Sequence, residues 1–139
     1  MSKYLIVLLF LSTLVAKDIA TVKLLQGDVR ASLEGKTQAL SVGDALSGTM
    51  VVQTTSGSST TIVFKDNSVL VLGENSIVNL KKYIFEPTKK SYNFELFLQK
   101  GSAVFESGDI GKLSPESFVF ETPQGTVAIR GTKFVVKVE

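Results

Sequence analysis

The sequence predicts an all-β domain, an antiparallel β-sandwich or roll of about ten short strands, after an N-terminal signal peptide. Short runs of β-branched and aromatic residues recur from Ile19 onward, separated by Gly, Asn-Ser or Asp-Asn. Apolar and polar side chains alternate along most of Tyr92–Gln99, with the period of two of a half-buried strand. After residue 16, no stretch keeps the apolar period of a helix over several turns.

The N-terminal segment has the layout of a secretory signal peptide, which we place at residues 1–16. Lys3 supplies a positive charge, Leu5–Val15 is a mostly apolar run, and Ala16 offers a small residue for cleavage. The run has eleven residues, fewer than the ~20 that a membrane-spanning helix needs. We therefore expect an exported protein that is not an integral membrane protein, with one β domain over residues 17–139.

Turn-forming residues divide the domain into strands. The segment Lys65–Ser68 is expected to join two strands as a hairpin, because Asp and Asn tolerate the left-handed backbone of such turns. The polar tract Thr54–Thr61 is expected to be a flexible hairpin tip rather than a carbohydrate-facing surface. Loops are expected at Phe85–Ser91 and Ser107–Glu116, which contain proline or glycine. The expected strands lie near 19–25, 28–33, 50–55, 59–65, 68–72, 76–80, 92–99, 102–106, 117–122, 126–130 and 132–138.

The composition excludes several kinds of chemistry. The 139-residue chain has no histidine or cysteine, so it has no Ser-His-Asp or Cys-His nucleophile, no zinc site of the usual type and no disulfide. Carboxylate pairs, Asp66 with Glu74 or Glu106 with Asp109, are candidates for glycosidase chemistry, but no pattern marks a cleft around them. The net charge of +2, without a basic patch, argues against nucleic-acid binding. We expect no enzymatic activity, no cofactor and no metal.

The segment Thr122–Val136 carries the pattern T-P-x-G-x-[VA]-x-[VI]-R-G-T-x-F-x-V. This pattern is characteristic of the FecR-like periplasmic domain family, which the chain resembles over nearly all of residues 21–138. Further segments that resemble the family are Gly27–Val29, Leu40–Leu46, Val52–Thr54, Ile62–Ser68 and Leu98–Gly101.

The resemblance implies an all-β fold in the periplasm of a Gram-negative bacterium. Founding members of the family are membrane-spanning regulators that relay a signal from an outer-membrane iron-siderophore transporter to a cytoplasmic sigma factor. The sequence lacks the anti-sigma segment, the full transmembrane helix and the transporter-docking domain of those regulators. We therefore expect the chain to share their β domain without the iron-signalling role.

The motif also supplies the candidate interaction residues. Arginine between apolar neighbours needs a carboxylate or carbonyl partner if it is buried, so Arg130 is either half of a structural ion pair or a ligand contact. Gly131 allows the chain to bend, and the Thr132 hydroxyl can bond to adjoining backbone. The full set of candidates is Thr122, Pro123, Gly125, Arg130, Gly131 and Thr132.

These observations predict a non-enzymatic protein-interaction or sensory module of the cell envelope, with an unidentified envelope protein as its partner. Its edge strands are one place where a partner strand could add. The alternatives are a glycan or cell-wall binding module and a structural subunit of an envelope assembly, and self-association is also open. The absence of tryptophan weakens the glycan alternative, because sugar rings commonly stack on aromatic side chains.

Overall fold

A computed structural model of the chain describes residues 17–127 and 133–139, and the predicted signal peptide lies outside these ranges. The all-β prediction is confirmed, because twelve strands and only one short α-helix occur in the described part of the chain. The strands are β1 (Asp18–Gln26), β2 (Val29–Leu33), β3 (Lys36–Ala39), β4 (Ala45–Ser47), β5 (Val51–Thr54), β6 (Ser59–Phe64), β7 (Val69–Leu72), β8 (Ile77–Glu86), β9 (Ser91–Glu106), β10 (Phe118–Thr122), β11 (Gly125–Val127) and β12 (Lys133–Val138). The helix α1 is Asp109–Leu113, and short 3-10 turns occupy Pro87–Lys89 and Pro115–Ser117.

The twelve described strands form one continuous sheet that curls around the core, and its two parts, called sheet A and sheet B, share β9. Sheet A has the strand order β4-β1-β6-β7-β9-β12. Sheet B has the order β3-β2-β5-β8-β9-β10-β11. Neighbouring strands are antiparallel except for β10, which runs parallel to β9 with Phe118 opposite Phe94. Because the segment Ser107–Ser117 separates β9 from β10, this pair is not joined by a tight hairpin turn and can run parallel.

A single long strand, β9, replaces the two strands expected near 92–99 and 102–106. Its first half pairs with β8 and β10 in sheet B, and its second half pairs with β7 and β12 in sheet A. The buried side chains change from even to odd positions between the two halves. A strand that bends in this way can contribute to both sheets of a roll. These buried side chains are Phe94, Leu96, Leu98, Ala103 and Phe105.

The change of face in β9 has two local causes. Val78 is paired with Leu98 but Ile77 is paired with Lys100, so one extra residue on β9 forms a β-bulge. Gly101 follows with φ 95, a left-handed backbone conformation that favours glycine. A Cβ at Gly101 would collide with the buried Ser76. The strand therefore bends where only glycine fits.

The core lies between the inner faces of the two sheets and includes a cluster of phenylalanine rings. The Phe105 and Phe118 rings stack with centroids 4.4 Å apart, and Phe94 meets Phe118 edge-on at 5.0 Å. Phe120 is fully buried and meets the partly buried Phe134 at 5.3 Å. Phe118 and Phe120 both face inward, as their alternation with Val119 and Glu121 along β10 requires.

Two local predictions have different outcomes, and two short strands were missed. The hairpin at Lys65–Ser68 is confirmed, with Asn67 at φ 68. The tract Thr54–Thr61 is not a hairpin tip, because β5 belongs to sheet B and β6 to sheet A, so the tract connects the two sheets. Thr54 and Ser58 in this tract are buried and hydrogen-bonded. The strands β3 and β4 were not predicted, because one is fully exposed and the other has three residues.

Candidate interaction site

The first part of the predicted motif forms the tight turn between β10 and β11. Thr122 and Gly125 are directly opposite each other across this turn. The Thr122 Oγ1 hydroxyl donates to the Gly125 carbonyl at 3.2 Å and accepts from the Gln124 N–H at 3.2 Å. Gly125 has φ 143, which favours glycine at this position. Thr122, Pro123 and Gly125 thus meet in one turn that their own hydrogen bonds hold in shape.

The turn of residues 122–126, here called the motif turn, is mostly exposed to solvent and adds little to the core. Pro123, Gln124, Gly125 and Thr126 are all exposed, and Thr122 is half-buried. Among the described residues, β11 pairs only with β10, so the turn stands at an edge of sheet B. An exposed turn fixed at a sheet edge is suited to contact another molecule.

The second part of the motif, with the candidates Arg130, Gly131 and Thr132, lies outside the described residues. The two readings of Arg130, structural ion pair or ligand contact, therefore both stay predictions. The chain enters this segment from β11 in sheet B and leaves it as β12 in sheet A. The motif thus begins in one sheet and ends in the other.

Surface contacts hold β10 against the rest of sheet B. Lys81 on β8 forms an ion pair with Glu121 on β10, with Nζ and Oε2 3.8 Å apart. The same ammonium group lies 5.9 Å from the centre of the Phe97 ring on β9. Both partners of the ion pair are partly exposed, so its contribution to stability is small, about 0–1 kcal/mol. The contacts orient β10 while buried Phe120 supplies the larger anchoring force.

A buried carboxylate, Asp66, lies just before β7 and holds in place the segment that leads to β10. Its Oδ1 accepts from the Tyr83 hydroxyl at 2.9 Å and from the Ser68 N–H at 3.3 Å. Its Oδ2 accepts from the Ser68 hydroxyl at 2.7 Å and from the Ile110 N–H at 3.1 Å. Asp66 is completely buried, and in the described part of the chain it has no lysine or arginine as an ion-pair partner. Within the described ranges, hydrogen bonds supply the partners that a buried carboxylate requires.

The same network fastens the short helix α1. The Asp109 N–H donates to the Asp66 carbonyl at 2.8 Å, and the Gly108 N–H donates to the Ser68 hydroxyl at 2.9 Å. A Cβ at Gly108 would collide with the backbone of Asp66 and Ser68, so the approach needs glycine. The sequence alone indicated that Asp66 is a turn residue and a candidate carboxylate, and did not reveal this role. The closely spaced aspartate and serine after the buried Phe64 were the available signal.

The phenol of Tyr83 is perturbed by this network. Burial raises the pKa of Tyr83 above its ordinary value of 10.0, and the neighbouring Asp66 carboxylate raises the pKa further. A group with a raised pKa in the folded state binds its proton more tightly there than in the unfolded chain. Its contribution to stability is therefore complete below about pH 10 and is lost as the pH rises through the folded-state pKa.

We expect the free energy of unfolding to fall as the pH rises above about 10, and to fall less steeply in Tyr83→Phe. Urea unfolding at stepped alkaline pH measures both slopes. Tyr92→Phe is the control, since the Tyr92 hydroxyl has no hydrogen bond within the described residues. Equal slopes for the wild type and Tyr83→Phe would contradict the assignment.

Neither the candidate carboxylate Glu74 nor the cleft beside the β2–β3 hairpin has the features of a sugar-binding site. Glu74 accepts the Gly57 N–H at 2.8 Å and supports a loop. A shallow cleft of about 390 Å³ lies beside the β2–β3 hairpin, and none of its lining residues is aromatic. The most exposed large hydrophobic side chains in the described ranges are also aliphatic, namely Leu24, Val42, Leu113 and Val135. The partly exposed rings of Tyr83 and Phe85 line a separate small cleft of about 40 Å³.

Comparison with known proteins gives one match. The model of the family described as FecR protein matches residues 50–139, which include β5 to β12 and the whole motif. No curated protein and no solved structure matches the chain. No helix within residues 17–127 or 133–139 is long and apolar enough to span a membrane.

Proposed function

The chain belongs to the FecR protein family, and from this premise we propose that it is a protein-interaction or signalling module of the bacterial cell envelope. In this proposal it works in the periplasm by binding another envelope protein, and it catalyses no reaction. The resemblance to the periplasmic part of FecR-type regulators supports the location and the role.

The single observation that carries the proposal is the exposed motif turn at the edge of sheet B. Four consecutive residues, Pro123 to Thr126, are exposed although they belong to the segment with the most specific family pattern. Residues that served only the core would be buried, as Phe118 and Phe120 are. A binding role gives these exposed residues a purpose that packing does not.

The buried polar chemistry supports a non-enzymatic role. In the described part of the chain, the Asp66 carboxylate accepts four hydrogen bonds from groups that fix the fold, and it is completely buried, so it is poorly placed to meet a substrate. The sequence has no histidine or cysteine to act as a base or nucleophile at neutral pH. The proposal therefore relies on binding alone.

The predicted export of the chain supports the same location. The predicted signal peptide at residues 1–16 would deliver the domain across the inner membrane. Removal of this peptide after Ala16 would leave a chain that begins at Lys17, one residue before β1.

The proposal is tested by cross-linking in living cells. A tagged copy at native expression is cross-linked, and mass spectrometry identifies the captured proteins and the N-terminus of the tagged chain. We expect one envelope protein in stoichiometric amount and a chain that begins at Lys17. Self-cross-links alone would favour a structural subunit, and no capture together with retention on cell-wall glycan would favour the glycan-binding alternative.

A further inference from the structure

A row of four apolar side chains and one threonine crosses the outer face of sheet A. Successive cross-strand neighbours are paired in register on β1, β6, β7, β9 and β12. The two ends of the row are well exposed, Leu24 at 65% and Val135 at 72%. The row consists of Leu24, Thr61, Val71, Val104 and Val135. It ends on β12, where the sheet itself ends in the described part of the chain.

Among the described residues, inward side chains are less well covered at the β12 edge than in the middle of sheet A. Phe134 and Val136 face inward on β12 but are only partly buried. Their direct partners on β9, Phe105 and Ala103, are almost completely buried. Within the described ranges, no strand pairs with the outer edge of β12. One more strand at this edge would cover the inward side chains and satisfy the outward backbone groups.

The charges on β12 indicate what such a strand would carry. Lys133 and Lys137 flank Val135 on the outer face, at the spacing of alternate residues in a strand. Lys133 lies across from Glu106 and Lys137 across from Ser102, and neither lysine forms an ion pair among the residues described. Opposite charges at directly facing positions stabilise a strand pair, and like charges destabilise it.

We propose that the outer edge of β12 binds an extended strand of the partner protein, in which acidic residues alternate with an apolar residue on the outward face. The acidic residues face Lys133 and Lys137, and the apolar residue continues the row beyond Val135. The inward side chains of the strand cover Phe134 and Val136. This inference rests on the proposed function and adds the surface and the chemistry of the partner.

A second copy of the chain fits this edge less well. An antiparallel pair of β12 strands centred on Val135 would join the two apolar rows. It would also place Lys133 opposite the second copy's Lys137, twice. Because directly opposed like charges are unfavourable, an acidic strand is the better occupant.

Short fluorescent peptides test the proposal with the purified full chain. The probe has the repeat Glu-Val-Val-Val, so that glutamate and valine alternate on one face of the strand and the other face is all valine. One comparison peptide has lysine in place of each glutamate, and another has the glutamate and valine residues in separate blocks. We expect the glutamate repeat peptide to bind and both comparison peptides to bind about tenfold more weakly. Hydrogen exchange should slow at Lys133–Val138 when the probe binds, and stay unchanged at Ala45–Ser47, the other edge of sheet A.

Charge reversal gives the sharper comparison. The double variant Lys133→Glu, Lys137→Glu should no longer bind the glutamate peptide and should bind the lysine peptide instead. The matched control Lys23→Glu, Lys112→Glu has the same change in net charge at exposed positions away from β12, and should keep the original preference. An unchanged preference in the β12 variant would overturn the proposal, as would protection of β12 by self-association without peptide. If an envelope protein is still captured in cells by the β12 variant, the proposed function stands and only this inference fails.

Discussion

Replacement of Asp66 by alanine is expected to lower the free energy of unfolding by about 4 kcal/mol. The substitution removes the acceptor for the Tyr83 hydroxyl, the Ser68 hydroxyl and the Ile110 N–H. These groups stay in a buried site and lose partners there, which costs more than the loss of an exposed hydrogen bond. The helix α1 also loses one of its ties to the roll.

Urea unfolding followed by circular dichroism measures this change. Asp66→Asn should lower the free energy of unfolding by about 2–3 kcal/mol, because the amide NH₂ of the new asparagine must face another donor, the Ile110 N–H or the Ser68 N–H. Asp28→Ala removes an exposed carboxylate that pairs with Arg30, and should cost no more than about 1 kcal/mol. If Asp66→Ala unfolds at nearly the same urea concentration as Asp28→Ala, the network does not stabilise the fold.

Gly101→Ala is expected to lower the free energy of unfolding by about 4 kcal/mol, and Gly43→Ala by about 1 kcal/mol. The two glycines have the same φ of 95, so the cost of a left-handed alanine is the same at both positions. A Cβ at Gly43 meets nothing within 4 Å, whereas a Cβ at Gly101 collides with buried Ser76. The difference between the variants therefore isolates the steric contact at the bend of β9.

The same unfolding experiment measures both glycine variants. A large difference is expected because Ser76 is held by a hydrogen bond from the Ser102 N–H and cannot move away freely. Equal losses of stability in the two variants would show that the bend of β9 tolerates a side chain, and that conformational strain alone requires glycine there.

The sequence predicted the strands whose two faces differ in polarity. Alternation placed Tyr92, Phe94, Leu96 and Leu98 on one face, and the last three are buried while Tyr92 is partly buried. It could not show that the strand continues beyond Leu98, because the β-bulge moves the buried side chains to odd positions. When the alternation of apolar and polar residues shifts by one position, the sequence looks the same as it does at the end of a strand. The exposed strand β3 has no such alternation and was missed for that reason.

Prediction of the site was partial for similar physical reasons. The turn residues Thr122, Pro123 and Gly125 were found because their pattern is specific, and the structure brings them together. The role of Asp66 depends on Tyr83 and Ile110, which are 17 and 44 residues away in the chain. A contact over that separation leaves no periodic signal in one sequence. The same holds for the parallel pairing of β9 with β10.

The fold links the buried network to the exposed turn. Asp66 anchors the segment that precedes β10, and β10 leads directly into the motif turn. Variants that break the network are therefore expected to disturb the turn as well as stability. For this reason, binding should be tested with substitutions on exposed positions of the folded protein.

The most direct measurement is site-specific photo-cross-linking in living cells from two exposed positions. The cross-linker replaces Thr126 on β11, beside the motif turn, or Gln38 on β3, at the far edge of sheet B. If the chain is an interaction module that binds through its motif, the same envelope protein is captured strongly from Thr126 and weakly from Gln38. Equal capture from both positions, or capture from neither, would contradict this account.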